Sequence, residues 1–305
     1  MANLAVVATD SRRRRFCWGD GNRANYGVSQ PELSFVKADH AMQWSLVSAV
    51  NNREVLTKNL LRSPDIGTAS EVMLQTDFPS AATAYNAAIE RATSDILVFA
   101  HQDVYLPQGW ISSVEEAGRR LATQDPSWGV LGVWGGTTEG RLPGYMYWTG
   151  VEGVAGRPFE GALDVNTLDE VVLILRKSSG LRFDEQLPGY HMYGTDICME
   201  ANRRGMKCYS IPAFCIHNTN DYRLFPLAFW RSYFFIRRKW KSKLPIASPC
   251  IEVTNWCWPM IRWNLIRMAN ILMGRHKVAT RTCDPSQIYS DLVNAGLVAS
   301  CSPEP

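Results

Sequence analysis

The order of apolar and polar positions from residue 43 onward predicts alternating strands and helices. Mainly apolar runs occur at 44–50, 71–75 and 95–100, and each ends in polar residues. Helical spacing covers 54–62 and 80–91, and Ser80 is a suitable N-cap for the second of these helices. Short links between such elements imply parallel strands joined by right-handed crossovers. The pattern therefore predicts an α/β fold.

The chain after residue 100 continues with less regular elements. We expect a helix over 108–123, a strand over 128–136, an irregular or hairpin-like region over 140–161, a strand over 169–175, a helix over 195–204 and a short strand over 207–212. These elements divide the chain into an N-terminal extension (1–42), one main domain (43–245) and a helical C-terminal extension (246–305).

The segment 225–273 is rich in aromatic and basic residues. Phe229, Tyr233, Ile236 and Trp240 fall at helical spacing. This stripe is open to three interpretations: it packs on the main domain, it lines an acceptor groove, or it lies on a membrane as an interfacial helix. The four arginines at 12–15 are open to two, contact with an anionic surface or simple solvation.

Composition narrows the class of protein. The 305 residues are 46% hydrophobic and carry a net charge of +3, which suits a globular fold and does not argue for nucleic acid as a partner. The eight cysteines include no Cys-x-x-Cys pair, and no signal peptide or long apolar span is visible. We therefore expect a cytoplasmic protein with free thiols, with peripheral membrane contact left open.

The third strand leads directly into His101-Gln-Asp103. Ligands in open α/β sheets bind outside the carboxyl ends of the strands, and a carboxylate there can hold a divalent cation and, through it, a diphosphate. Asn51, Asn52 and Asp77 follow the first two strands in the same way. The alternative for these three is turn chemistry, which Asn and Asp favour.

These features resemble the nucleotide-sugar-dependent glycosyltransferases of the GT-A fold in the broad family 2 group. The nearest likeness is to the glycosyltransferase-like domain of streptomycin-biosynthesis type. The matching stretches are 45–52, 84–86, 94–95, 101–104, 183–185, 189–200 and His217. The resemblance implies a Rossmann-like, mostly parallel central sheet with flanking helices and an inverting sugar transfer.

The resemblance also implies a cofactor and a donor. Asp103 and His217 would hold Mn²⁺ or Mg²⁺, while His101 replaces the first carboxylate of an Asp-x-Asp motif and would contact ribose or sugar or support the site. Asn51, Asn52 and Asp77 would face the base and ribose of a nucleoside-diphosphate sugar, with a UDP-sugar as the first choice.

Asp196, at the start of a predicted helix, is where the resemblance implies the general base that deprotonates the acceptor. Glu170 and Glu200 are rival carboxylates. Further candidates for contacts with sugar are Trp134, Glu170, Tyr190, His191 and Tyr193. The acceptor is a glycan, a lipid-linked glycan, a protein or a small molecule.

Other classes of function fit less well. No Gly-x-Gly-x-x-Gly and no glycine-rich basic loop follows the first strand, which disfavours a dinucleotide enzyme and a nucleotidyltransferase. A zinc hydrolase that uses His191, His217 and a nearby carboxylate or Cys215 does not match the ligand spacing of zinc sites. A degenerate domain that binds a sugar nucleotide or glycan without turnover stays open, because His101 stands where a carboxylate is expected.

Overall fold

The structure is a computed structural model that describes residues 42–220, 224–275, 280–282 and 284–299. The arginines at 12–15 and nearly all of the predicted N-terminal extension (1–42) lie outside the described residues. Within the described part the helices are α1 (Arg53–Lys58), α2 (Ala81–Arg91), α3 (Trp110–Gln124), α4 (Tyr193–Arg203), α5 (Leu227–Lys239), α6 (Trp258–Leu272) and α7 (Pro285–Asn294).

The strands are short, and most belong to one sheet. They are β1 (Trp44–Ala49), β2 (Glu71–Gln75), β3 (Ile96–Ala100), β4 (Val104–Tyr105), β5 (Val130–Gly132), β6 (Gly135–Gly136), β7 (Tyr145–Trp148), β8 (Gly153–Gly156), β9 (Leu163–Val165), β10 (Thr167–Leu168), β11 (Val172–Arg176), β12 (Cys208–Ser210) and β13 (Cys215–His217). Short 3₁₀ turns occupy Leu60–Arg62 and Pro64–Thr68 after α1.

The central sheet has seven strands in the order β2-β1-β3-β11-β5-β12-β9. Strand β1 is parallel to β2 and to β3, and β12 is parallel to β5. Strands β11 and β9 are antiparallel to their neighbours, so the other five strands share one direction. The predicted mostly parallel α/β sheet is confirmed.

The two faces of this sheet carry separate apolar layers. Successive side chains of a strand point to opposite faces, so Leu97 and Phe99 lie in one buried cluster while Val98 and Ala100 lie in the other. The first layer packs against α2, α4 and α5, and the second packs against α1 and α3. Helices thus cover both faces, as the apolar run of β3 requires.

A second sheet of four strands, in the order β4-β13-β7-β8, extends from the end of β3. Strand β13 is antiparallel to β4 and places His217 opposite Val104. Strands β7 and β8 form an antiparallel hairpin within the region predicted to be irregular or hairpin-like. The register of β13 brings His217 next to the residue that precedes β4, which is Asp103.

Several predicted elements differ in their bounds. Ser80 caps α2 as predicted, but the helix predicted over 54–62 ends at Lys58 and continues as a 3₁₀ turn. The strand predicted over 128–136 divides into β5 and β6. Helix α4 begins at Tyr193, before the predicted start, and Glu170 precedes β11 instead of lying within it.

The aromatic stripe of segment 225–273 packs in the core. Phe229, Tyr233, Ile236 and Trp240 are all buried against the main domain, which confirms the first of the three interpretations for these side chains. Helices α6 and α7 account for the predicted helical C-terminal region. Among the described residues, no helix is long and apolar enough to cross a membrane.

Candidate functional site

The carboxyl end of β3 and the end of β13 bring three possible metal ligands together. Asp103 Oδ1 lies 3.5 Å from His217 Nε2. The His101 and His217 rings have centroids 5.6 Å apart. One ligand atom from each of His101, Asp103 and His217 lies within 4.8 Å of the others. Asp103 and His217 are the predicted metal ligands, and His101 is the residue that stands in place of the first carboxylate of an Asp-x-Asp motif.

The electrostatics of this cluster favour an ionised carboxylate beside a neutral imidazole. Burial opposes ionisation of Asp103, but His217, His101 and Arg281 outweigh it and hold the pKa of that carboxyl well below its usual range. Burial also lowers the pKa of His101, against the pull of Asp103. A neutral imidazole keeps a lone pair that can accept a proton or bind a cation.

The C-terminal segment contributes a cation that sequence reasoning missed. Arg281 Nη2 donates to Asp103 Oδ2 at 3.0 Å, and Arg281 Nε donates to the carbonyl oxygen of Asn218 at 2.7 Å. Asn218, which is fully buried, bonds Thr282 through its side chain and Asn59 on the opposite side. Nothing in the periodicity of the C-terminal region singles out Arg281.

A buried hydrogen-bond chain extends from His101 toward α4. His101 Nε2 and Tyr193 Oη are 2.8 Å apart, and Tyr193 Oη also donates to the backbone oxygen of Glu170. Glu170 Oε1 accepts from the Gly194 nitrogen at 3.2 Å. Tyr193 is buried, so it holds the His101 ring in place and is poorly placed to contact a sugar.

An acidic pair lies at the same edge of the sheet. Because Val172 pairs with Ala100 in antiparallel register, Asp169 and Glu170 lie near the carboxyl end of β3. Asp169 Oδ2 accepts from Cys250 Sγ at 3.4 Å, and these two residues cluster with Glu170. Burial, assisted by Asp169, raises the pKa of Glu170 to about 8, so this carboxyl is mainly protonated at neutral pH.

The ends of β1 and β3 are joined by Gln102, a residue that sequence reasoning passed over. Gln102 Oε1 accepts from the backbone nitrogens of Asn51 and Asn52 at 3.2 and 3.0 Å. Gln102 Nε2 donates to Asn51 Oδ1 at 2.6 Å. Asn52 Oδ1 also caps α1 through the Val55 nitrogen. Asp77 is exposed in the turn after β2, with a left-handed φ of 64°.

Asp196 occupies a different environment from the one expected of a general base. It is 2% exposed. Its Oδ1 accepts from Trp240 Nε1 at 2.7 Å and its Oδ2 accepts from Lys239 Nζ at 2.8 Å. Lys239 also contacts Asp184 at 2.7 Å. Burial raises the pKa of Asp196, while Lys239 and Trp240 oppose that shift. Both oxygens thus connect α4 to α5.

The remaining predicted residues lie around this centre. Trp134 is half-buried under the β7–β8 hairpin and pairs with Gly144. The His191 ring lies 5.3 Å from that of Phe229, and burial, with His101 nearby, lowers the pKa of His191 to about 4. Tyr190 Oη donates to the Phe78 carbonyl oxygen. Glu200 is paired with Arg203 and Arg204 on the surface of α4.

Two other possible sites receive no support. Cys215 is fully buried. Neither Cys215 nor His191 belongs to either cluster of possible metal ligands among the described residues, so a zinc site that joins His191 and His217 with Cys215 or a carboxylate is not assembled. A cavity of about 650 Å³ opens between α3 and residues 159–161. Its lining includes none of His101, Asp103 and His217, so this cavity is separate from the cluster of possible metal ligands.

The donor set of the three-residue cluster fits a divalent transition metal. Imidazole nitrogen and carboxylate oxygen together suit Mn²⁺ or Zn²⁺, whereas Mg²⁺ prefers oxygen ligands alone. Arg281 places a positive charge beside Asp103, and a guanidinium is a common ligand for phosphate. Cation and diphosphate could therefore share this edge of the sheet.

Comparison with known proteins gives one family. The family described as "Glycosyltransferase like family" matches residues 45–226, which include His101, Asp103 and His217. A curated relative, "ATP synthase subunits region ORF 6" of Fuscovulum blasticum, is 27% identical over 134 residues, 43% of this chain and 53% of that protein. The chain thus spans about half the length of that relative.

Solved structures show more distant likenesses. GalNAc-T7 with UDP, GalNAc and Mn²⁺ aligns over 64% of this chain and 48% of its own, with 9% identity and a TM-score of 0.45. S. aureus TarS 1–349 in complex with UDP-GlcNAc aligns over 57% of this chain and 56% of its own, with 13% identity and a TM-score of 0.36. The family assignment rests on the sequence match.

Proposed function

This chain belongs to the glycosyltransferase-like family, and on that premise we propose that it transfers a sugar from a nucleoside-diphosphate sugar to a hydroxyl acceptor, with inversion and with the help of a divalent metal. The observation that carries the proposal is the convergence of His101, Asp103 and His217 at the carboxyl end of β3. A UDP-sugar is the first donor to test. The likeness to streptomycin-type domains stays a prediction.

The residues of the cluster would have different roles in holding the donor diphosphate. Asp103 and His217 would bind the cation, and His101, held by Tyr193, would contact the cation or the donor sugar. A bound metal would neutralise charge on the leaving diphosphate. Arg281 supplies a fixed positive charge beside Asp103 and would bind a phosphate oxygen.

The nucleoside end of the donor would lie along the ends of β1 and β2. Gln102 fixes the backbone of Asn51 and Asn52, which leaves the geometry of this edge well defined. Asp77 is exposed two strands from β3 and is free of the packing that encloses Asp103. Amide and carboxylate groups at these positions can bond base edges and ribose hydroxyls.

Two carboxylates are candidates for the general base. Asp196 can serve only if Lys239 or Trp240 releases an oxygen when substrates bind. Asp169 is a second candidate, because it is half-buried at the same edge of the sheet as His101. Glu170 is disfavoured at neutral pH, since its pKa of about 8 keeps it protonated.

Two observations favour the alternative of a degenerate domain that binds a sugar nucleotide or glycan without turnover. Both oxygens of Asp196 are engaged and buried, and Arg281 pairs with the carboxylate that a cation would need. A protein that binds a diphosphate through a guanidinium would retain affinity without catalysis if Asp196 stays engaged and Asp169 does not act as the base.

The proposal is tested by thermal unfolding against UDP, GDP, CDP and dTDP, each with and without Mn²⁺. A ligand at about 100 times its Kd stabilises a protein by about 2.7 kcal/mol, which is a readily measured shift in Tm. We expect one nucleotide to stabilise the chain, more strongly with Mn²⁺. The matching UDP-sugar or other sugar nucleotide is then used to follow release of the free nucleoside diphosphate.

The control is Asp103→Asn compared with Asp164→Asn. Asp164 is an exposed carboxylate on β9 paired with Lys207, far from the cluster in the sheet order. Asp103→Asn should lose the metal-dependent part of the shift, and Asp164→Asn should keep it. No shift with any nucleotide on folded protein would contradict the proposal. A shift without release of nucleoside diphosphate would support the degenerate alternative.

A further inference from the structure

Helix α6 (Trp258–Leu272) has most of its large apolar side chains exposed on the surface. Met260 is the one residue of this helix that is fully buried. Trp263 and Asn264 form the rest of its inner contact: the Trp263 ring stacks 4.0 Å from Phe225, and Asn264 Oδ1 accepts from the Phe225 nitrogen. These three residues, at 260, 263 and 264, define the side that rests on the protein.

A flank of α6, about a third of a turn around the helix from that packed side, carries a continuous apolar stripe, which we call the outer stripe. Its five residues are exposed by 59% (Trp258), 37% (Ile261), 58% (Leu265), 42% (Met268) and 80% (Leu272). Their spacing of three and four residues places them in one row along the helix. Monomeric proteins rarely expose such a row, and it marks a surface that binds something.

The charged residues of α6 and of the segments next to it are basic. No aspartate or glutamate lies between Glu252 and Asp284, whereas this stretch contains Arg262 and Arg275. Arg267 lies over the Trp263 ring on the packed side of the helix. Trp256, just before the helix, is 79% exposed. Tryptophan next to an apolar stripe with flanking arginines is the composition of helices that lie in the plane of an anionic bilayer.

The spacing of the outer stripe would also fit a second copy of the same helix, as in a coiled coil. Charge argues against that occupant. Two copies would bring their arginines together with no acidic side chain on either α6 to pair with them, and like charges at such a seam are repulsive. An anionic lipid surface offers the missing charge and also accepts the apolar row.

We propose that the outer stripe of α6 docks this protein on anionic membranes, with the helix lying in the plane of the interface. The apolar side chains would enter the headgroup and acyl boundary, and Arg262 and Arg275 would contact lipid phosphates. The inference is independent of the sugar-transfer proposal, because it uses no residue of the His101–Asp103–His217 cluster.

The test is sedimentation of the full chain with vesicles of phosphatidylcholine alone or mixed with phosphatidylglycerol. The wild-type chain should sediment with the mixed vesicles, much less with the neutral ones, and less in high salt. The double variant Leu265→Glu, Leu272→Glu should bind at least tenfold more weakly, about the effect of losing one buried leucine contact. Arg262→Gln should weaken binding about fivefold on anionic vesicles only.

Matched controls separate the stripe from general surface effects. Leu297→Glu makes the same change at a residue that is also 58% exposed but lies after α7, and Arg141→Gln removes an exposed arginine elsewhere. Both should bind vesicles like the wild type, and all variants should keep the wild-type Tm. Equal binding by the double variant, or no binding by the wild type, would overturn the proposal. So would concentration-dependent dimerisation that the double variant loses without any vesicle binding.

Discussion

Arg281 and Asp103 are 178 residues apart in the sequence, yet Arg281 Nη2 donates to Asp103 Oδ2 at 3.0 Å. The described segment 280–282 is fixed beside the end of β13 by the side chain of Asn218. The carboxylate at the end of β3 therefore has a cationic partner in the protein itself. Any divalent cation that uses both oxygens of Asp103 must displace this guanidinium.

Replacing Arg281 should change the response to metal and to diphosphate in opposite directions. Without nucleotide, Arg281→Gln should bind Mn²⁺ about tenfold more tightly, because a competing charge is removed from a partly buried carboxylate. Without metal, the same variant should bind nucleoside diphosphate more weakly. Calorimetric titration of each ligand measures both effects.

Arg62→Gln is the matched control for this change. Arg62 also contacts the C-terminal region, through Asp284 at 3.1 Å, but does not touch Asp103. It should leave both affinities unchanged. Equal Mn²⁺ binding by wild type and Arg281→Gln would mean that the cation does not use the Asp103 oxygen that Arg281 holds.

Asp196→Asn should separate a catalytic role from a structural one. If Asp196 is the base, the variant loses turnover, keeps donor affinity and keeps most of its stability. If Asp196 only connects α4 to α5, the variant loses about 1–3 kcal/mol of the free energy of unfolding, the usual cost of a disturbed buried hydrogen-bonded group. Urea unfolding and turnover are measured on the same preparations.

Lys239→Met provides the second arm of this experiment. It removes the cation that Asp196 Oδ2 accepts from, while it leaves the Trp240 contact in place. A structural role predicts that both variants are destabilised to a similar extent with little further effect on turnover. Turnover that is lost in Asp196→Asn but retained in Lys239→Met would identify the carboxylate itself as the reacting group.

The sequence was most informative where the chain folds locally around β3. Apolar runs ending in polar residues predicted β1, β2 and β3, their parallel pairing and the position of Asp103 at the sheet edge. Ser80 was predicted correctly as a cap because capping is a local interaction. His217 was named through resemblance, and the register of β13 against β4 accounts for its position beside Asp103.

What the sequence did not give depends on contacts between distant segments. The partners of Asp196, Lys239 and Trp240, lie at the end of α5, and the guanidinium that pairs with Asp103 comes from the C-terminal segment. Neither pairing leaves a periodic signal in the sequence. The polar chain from His101 through Tyr193 to Glu170 is likewise fixed only when β3, β11 and α4 meet. Burial shifts the pKa values of His101, Tyr193 and Glu170, and no local sequence pattern predicts these shifts.

Gln102 should affect donor binding more than stability. Gln102→Ala removes three hydrogen bonds between the ends of β1 and β3, all at an exposed edge. We expect the Kd for the nucleotide to rise about three- to tenfold, with only a small change in Tm, because at this exposed edge water replaces the lost hydrogen bonds. Gln108→Ala, at an exposed position before α3, should leave the Kd unchanged. If Gln102→Ala bound the nucleotide with the wild-type Kd, the ends of β1 and β3 would not be part of the donor site.

Glu170 should make the folded protein less stable as the pH rises. Its pKa is about 8 in the fold against an ordinary value of 4.5. Between these values the folded chain keeps a proton that the unfolded chain has released, so the free energy of unfolding falls with increasing pH until Glu170 ionises near pH 8. Glu170→Gln has no carboxyl to ionise. The difference in Tm between Glu170→Gln and wild type should therefore grow in favour of the variant from pH 5 to pH 9.

The other titrating groups are the same in both proteins, so their effects on stability cancel in the difference in Tm. One of them is His191, whose lowered pKa changes the stability only below pH 6.5. Glu160→Gln, at an exposed glutamate, should follow the wild-type profile at every pH. A constant Tm difference between Glu170→Gln and wild type across this range would mean that Glu170 is already ionised in the fold. Glu170 would then rejoin Asp169 as a possible base at neutral pH, and the turnover assay should be repeated with Glu170→Gln.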